Sequence, residues 1–500
     1  MQVKHLSTLS PPGDGISKVT ASAWSPNGRR LAVVAMDRVV NLFNEAGERK
    51  DKFSTKGATK GGKAYFVNDM AFSPDSTRLA VAQTDAIVYV YQLGLEWGDK
   101  KSICSKFPVS SGASVTSLAW PSNQPHKLVY GLSDGKVRLG STRNHKSSTL
   151  YNTSSYTVSA CCSPDGSAIL TGHADGSIYR FLFEADGRAP THSKFATHTA
   201  VPYSLSWGRS IAAGGNDARM SFYNLEGSLE RTFDYSSEPG VKEFTCAKFN
   251  PTGEALVAGN FDRYFVYVWN NQATEWEEAS SAHIPGLYSI TTLCWKPDGS
   301  RVAMGTLCGA VDVYDACIKR ARYKGAFEFT YVSPSQVIVK RLDNGDRSVL
   351  KSSFGCPIEK INVFQDRFLV AHTSRTLMMG DLNTKHMSEL PWPSSGTEKF
   401  FFENPTVCMV FNAGELSLVE YGKNELLGCC RTEHMSPHLI SVRINERPPR
   451  HSAAGGAGYG APSDDNKKIA YLLDVENIRV QDLVTGINIA TITHDTKVGW

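Results

Sequence analysis

Short runs of β-branched and aromatic residues recur along the chain: RVVNLF, AIVYVY, GKVRLG, GSIYRFLF, ARMSFYN, RYFVYVW and GAVDVYD. Such runs, bounded by turn-forming residues, predict strands. They belong to a larger unit. An apolar or aromatic residue leading into a turn recurs at Trp24 (WSPNG), Phe72 (FSPDS), Trp120 (WPSNQ), Cys162 (CSPDG), Trp207 (WGRS), Phe249 (FNPTG) and Trp295 (WKPDG), with gaps of 48, 48, 42, 45, 42 and 46 residues. Self-similarity at that period predicts a propeller in which each repeat is one blade of four antiparallel strands.

A second marker follows each anchor. Asp37, Asp85, Asp175 and Asp262 stand 13 residues after it, Asp134 stands 14 after and Asp217 10 after, and Cys308 takes the place in the seventh unit. Every unit therefore reads strand, turn, strand, turn, strand. Asn27-Gly28, Asp165-Gly166 and Asp298-Gly299 supply the positive φ that tight hairpin turns require. The six aspartates are expected to be structural, accepting hydrogen bonds from turn amides that would otherwise go unsatisfied between blades. Only Tyr314-Asp315 approaches the Trp-Asp pair that names this repeat class. Seven units predict one closed WD-type ring over residues 1–320.

Past that point the pattern resumes without the anchors, as strand triplets at 327–350, 358–382, 397–421 and 438–483, with turns at Asn344-Gly345 and Ala413-Gly414. GINIATIT reads as the start of a fifth unit. The expectation is an all-β chain: a seven-bladed propeller, then the first four or so blades of a second one over 321–500, continuing beyond Trp500. Residues 446–468, rich in Gly, Ala and Pro, have almost nothing to bury and are expected to form a disordered loop.

Composition narrows the chemistry. The 500 residues are 41% apolar and 20% charged, with a net charge of +4 and a pI of about 8.4. That excess is too small to mark a nucleic-acid binder. No run approaches eighteen apolar residues, and the first twenty residues lack the apolar centre of a signal peptide. The eleven cysteines form no C-x-x-C and are expected to be reduced thiols.

Gly57-Ala-Thr-Lys-Gly-Gly62-Lys63-Ala64 follows a phosphate-loop pattern until Ala64 replaces the magnesium-binding Ser or Thr, and a strand follows it where a helix is needed. Gly456-Ala-Gly458-Tyr-Gly460 matches a dinucleotide fingerprint in composition only. No H-E-x-x-H or G-x-S-x-G motif is present, and His192 and His198 read as surface histidines. The chain is therefore expected to be no enzyme, with no catalytic, cofactor-binding or metal-ligating residue. Arg49, Lys50, Lys52, Lys56, Lys60 and Lys63 form a candidate basic patch for a partner, and Lys319, Arg320, Arg322 and Lys324 a second. Charged outer strands that stay soluble are the competing explanation.

MQVKHLSTL, GERKDKFSTK at 47–56 and MAFSPDSTRLAVAQTDAIVYVYQLGLEWGDKKSICSKF at 70–107 resemble the intraflagellar transport protein 172 family, large peripheral subunits of complex B. The resemblance implies tandem propellers, a long helical-repeat tail outside this stretch, and an adaptor that binds other complex B subunits, including one with a calponin-homology domain. It also implies a role in train assembly, movement and turnaround, a location in the cytoplasm, cilium or flagellum and basal body, and no cofactor or nucleic acid. Two other propeller functions compete: binding to anionic membrane, although no F-R-R-G motif is present, and service as a ubiquitin-ligase substrate receptor.

Overall fold

Every regular element is a β-strand in the computed structural model, which describes residues 3–13, 17–59, 64–183, 189–393, 396–402, 404–433, 442–444, 468–482 and 485–494. The strands form four-stranded sheets in two compact units, Met1–Arg320 and Ala321–Trp500.

In the first unit six sheets are local meanders, spanning residues 19–54, 67–108, 115–152, 157–197, 204–234 and 246–283. The seventh joins Ile290–Trp295, Arg301–Thr306 and Val311–Asp315 to Lys4–Ser10, from the start of the chain. Lys4–Ser10 runs antiparallel to Val311–Asp315, with Lys4 opposite Asp315 and Ser10 opposite Val311. The first strands of the sheets neighbour one another in chain order, and Ile290–Trp295 lies beside Val19–Trp24. The sheets thus close a ring, which leaves only short outer edges to solvent.

Burial follows from that arrangement. The second strand of each sheet is packed on both faces, so LAVVA, RLAVAQ and AILTGH are buried almost throughout. The fourth strand sits at the rim and is polar, as in RKDKFS and LERTFD. Between each pair of adjacent sheets lies an apolar wedge. The one that closes the ring sets Trp24, Leu31 and Phe43 of the first sheet against Ala303, Val311 and Val313 of the seventh.

Polar clasps join the inner strands. Asn68 donates to the Val115 carbonyl at 2.7 Å and Thr291 to the Val19 carbonyl at 2.6 Å, both from register shifts that turn them toward the next sheet.

The turns do what their residues dictate. Gly28, Gly166 and Gly299 have φ of 70°, 74° and 76°. Ser163 Oγ donates to Asp165, and the Asp165 carboxylate accepts the Ser167 amide at 3.0 Å, so each turn is a closed knot. A Cβ on Gly166 would stand 2.7 Å from the Asn123 amide nitrogen of the neighbouring sheet. Gly166→Ala is expected to cost about 1–3 kcal/mol, read from urea midpoints, because it meets both the left-handed backbone penalty and a backbone neighbour.

The remaining sheets, built on residues 319–351, 358–391, 399–431 and 442–493, follow in chain order, and all but Lys319 and Arg320 of the first belong to the second unit. Apolar wedges join the first to the second, the second to the third and the third to the fourth. GINIATIT does not begin a fifth sheet. Its Asn488–Thr493 strand pairs antiparallel with Asn477–Asp482 as the last strand of the fourth. The reading of three strands per unit missed the polar rim strand, which displaced the later count. Apart from Lys468, which opens a strand, the segment 446–468 lies outside the described residues.

Candidate interaction surface

The six marker aspartates sit before the third strand of their sheets. Asp37, Asp134, Asp175 and Asp217 each accept the amide two residues on, at 3.0–3.3 Å. Three of them also reach the loop after the preceding sheet. Asp85 accepts the Ala58 amide at 2.7 Å, Asp134 the Ser111 hydroxyl at 3.0 Å and Asp217 the Thr199 hydroxyl at 2.6 Å. Asp262 spends its carboxylate on Arg263, at 2.7 Å, with His283 3.5 Å away.

His192 is exposed and stacks on Tyr151. His198 is not a surface residue: it is buried, and its Nδ1 lies 3.0 Å from the Tyr223 hydroxyl. Its place in the loop after the fourth sheet is covered by the fifth.

These groups set a pH dependence. Burial lowers the pKa of His173 and His198, opposed by the Ser155 carbonyl and Asp175 at the first and by Asp217 at the second. The unfolded chain then takes up protons near pH 6.5 that the fold refuses, so stability falls as pH drops through that value. The Asp165 carboxyl is held down by Ser163, and Asp175 by Ser177 against the burial that would raise it. Their contribution is present above pH about 4 and lost below it. Melting temperature measured from pH 8 to 3 is expected to fall in those two stages; a maximum near pH 5 would contradict this.

The described basic residues are held in different ways. Arg49, Lys50 and Lys52 lie on the rim strand of the first sheet, Arg49–Ser54. Arg49 opposes Phe43 and lines a cleft of about 460 Å³ between the first and seventh sheets, with Leu9, Val33 and Asp37. Lys50 pairs with Glu48 at 2.7 Å. Lys56 lies past the strand, its amide donating to the Tyr91 hydroxyl at 3.1 Å. Lys60 and Lys63 lie outside the described residues. Of the second cluster, Lys319, Arg320 and Arg322 sit on the strand Lys319–Tyr323, and Lys324 follows it, donating to the Val363 carbonyl at 3.2 Å.

A more defined feature emerges from Asp51, inside the first run. Asp51 and Lys101 form an ion pair with side chains only 14% and 8% exposed, and Asp51 also accepts the Gly98 amide at 3.1 Å. Burial would raise the Asp51 carboxyl, but Lys101 and the Gly98 and Lys52 amides hold it below its usual range. Arg30, 8% exposed, donates to the Gly94 carbonyl at 3.1 Å and the Leu95 carbonyl at 2.8 Å, and its guanidinium lies 5.0 Å from the Trp97 ring centre. Asp99 accepts the Glu96 amide at 3.0 Å.

Together these clamp the connection 93–101 of the second sheet, where Gly94 and Gly98 take φ of 79° and 85°. Leu95 at its tip is 85% exposed and Trp97 36%. Sequence reasoning missed this cluster because Arg30 and Asp51 lie far along the chain from the loop. The local signal was LGLEWGDKK, too long for a hairpin and carrying two large apolar residues between glycines.

Among the described residues no group of three or more His, Cys, Asp or Glu is arranged to hold a metal ion. Among the same residues no helix is long and apolar enough to cross a membrane. The model of the WD domain, G-beta repeat, matches residues 4–44 and 54–92. The chain is 51% identical over its whole length to intraflagellar transport protein 172 homolog of Rattus norvegicus and 50% identical to intraflagellar transport protein 172 of Chlamydomonas reinhardtii. It belongs to the intraflagellar transport protein 172 family. A more distant relative, intraflagellar transport protein osm-1 of Caenorhabditis elegans, is 36% identical, again across the whole chain. The chain spans about 28% of the length of these family members. Its Arg49–Ser54 rim strand and the second-sheet loop fall within strings that resembled the family at the outset.

Proposed function

We propose that this chain is a non-catalytic, protein-binding part of an adaptor in intraflagellar transport, holding complex B subunits, one with a calponin-homology domain among them, in trains within the cilium or flagellum and at the basal body. Whole-chain similarity to relatives named for that process carries the reading. The rigid, closed ring of WD-type sheets supports it, since such a scaffold offers fixed loops for recognition. We read the Ala321–Trp500 unit as four blades of a second propeller, which fits the exposure of Ile489 and Ile492 on its last strand, 49% and 54%.

The test is unbiased: the immobilised chain is offered ciliated-cell extract at moderate salt, and retained proteins are identified by mass spectrometry. Enrichment of complex B subunits is the expected result. Retention of ubiquitin-ligase components instead would overturn the transport reading and leave the fold untouched.

A further inference from the structure

The loop 93–101 is fixed by side chains from outside it, Arg30 and Asp51, together with its own Lys101. Its counterparts in the first and fifth sheets, Asn44–Glu48 and Asn224–Ser228, turn in five residues around one asparagine side chain. Here nine residues make the same connection, and Arg30, Asp51 and Lys101 are drawn out of water to fix them. Burying ions is weak evidence for stability, because desolvation offsets most of the attraction. What the clamp achieves is presentation: Leu95 stands in solvent at the tip, 85% exposed, and Trp97, one face against Arg30, leaves 36% of its surface open beside it.

We propose that this loop is a preformed docking knob, with Leu95 and Trp97 as anchors for an apolar pocket on a folded protein partner. A rigid aromatic and aliphatic tip inside a polar rim is the anatomy of an interface hot spot. The rim decides the class of partner. Exposed Arg29, Arg49, Lys50, Lys52 and Lys100 are interleaved with exposed Glu48, Glu96 and Asp99, so the rim carries both signs with a basic excess. An anionic membrane or nucleic acid would select a uniformly basic rim, whereas a protein pocket edged by both signs of charge complements this one. Arg30 is a positioning residue, holding the loop from below.

This inference rests on the adaptor reading, and the experiment separates the two. The full-length protein is expressed in ciliated cells with p-benzoylphenylalanine in place of Leu95, and with the same group in place of Leu229, 59% exposed on the rim of the fifth sheet, as control. Crosslinks are mapped by mass spectrometry. The expected result is one dominant protein crosslink from position 95, to a peptide lining an apolar pocket with acidic and basic neighbours, reduced about tenfold by Arg30→Ala and absent from position 229.

With that partner purified, Leu95→Asp, at a site too exposed to disturb folding, is expected to weaken binding about thirtyfold. Crosslinks to lipid, to a second copy of the chain, or no more than the control would overturn the knob. If complex B subunits still co-purify in that case, only this inference falls. If they fail to co-purify with the unmodified protein, the adaptor reading falls first.

Discussion

Trp276→Ala is expected to destabilise the first unit by about 3–5 kcal/mol, the largest single-residue effect in the ring. Trp276 is fully buried although it lies on the rim strand of the sixth sheet, Glu275–His283. It stacks on Phe222 of the fifth sheet at 4.6 Å between ring centres, with Phe249 at 5.4 Å and Trp269 at 5.5 Å, and its Nε1 donates to Ser210 Oγ at 3.0 Å.

Truncation leaves a cavity between two sheets that cannot close without shifting both, and it strands the Ser210 hydroxyl. Trp276→Phe keeps most of the stacking and loses the hydrogen bond, so about 1–2 kcal/mol is expected. Urea unfolding of the two variants checks the order. Equal losses would show that the polar contact, not the packing, joins these sheets.

Glu389→Ala is expected to cost the second unit about 3 kcal/mol. The carboxylate is 4% exposed and accepts Ser352 Oγ, the Ser353 amide and Ser353 Oγ at 2.6 Å each, and Thr376 Oγ1 at 2.7 Å. Burial pushes its pKa up, and these donors bring it below the usual carboxylate range. Removing the acceptor leaves four donors facing a void, and the connection after the strand Arg347–Lys351 loses its tether. Glu389→Gln retains one oxygen and is expected to lose roughly half as much. The melting transition of Ala321–Trp500 should drop while that of the ring stays in place. A shift confined to the ring would contradict this assignment.

Both positions show where the sequence is readable and where it is not. The anchors, the Asn-Gly and Asp-Gly turns and the inner strands announce themselves, because burial on two faces enforces apolar runs and a positive φ enforces glycine. Rim strands such as Arg49–Ser54 and Leu229–Asp234 face water and carry no such imprint, so RKDKFS read only as part of a basic patch and the fourth strand of each unit was not located. Trp276 hides in EWEEASSAH for the same reason: the sheet packed against it, not its neighbours in sequence, decides its burial.

The fifth unit lacks the S-P-D-G turn, and its compact Gly208–Ser210 turn is what brings Ser210 under the Trp276 indole. The Arg30 and Asp51 clamp was equally invisible, since it joins residues from different sheets.

The adaptor claim is tested most directly by reconstitution. Purified complex B subunits are mixed with the full-length protein carrying this chain, and the mixture is followed by analytical ultracentrifugation. A stoichiometric species heavier than either component is expected, and it should be lost when this chain is deleted. Independent sedimentation at micromolar concentrations, with every component folded, would contradict the account.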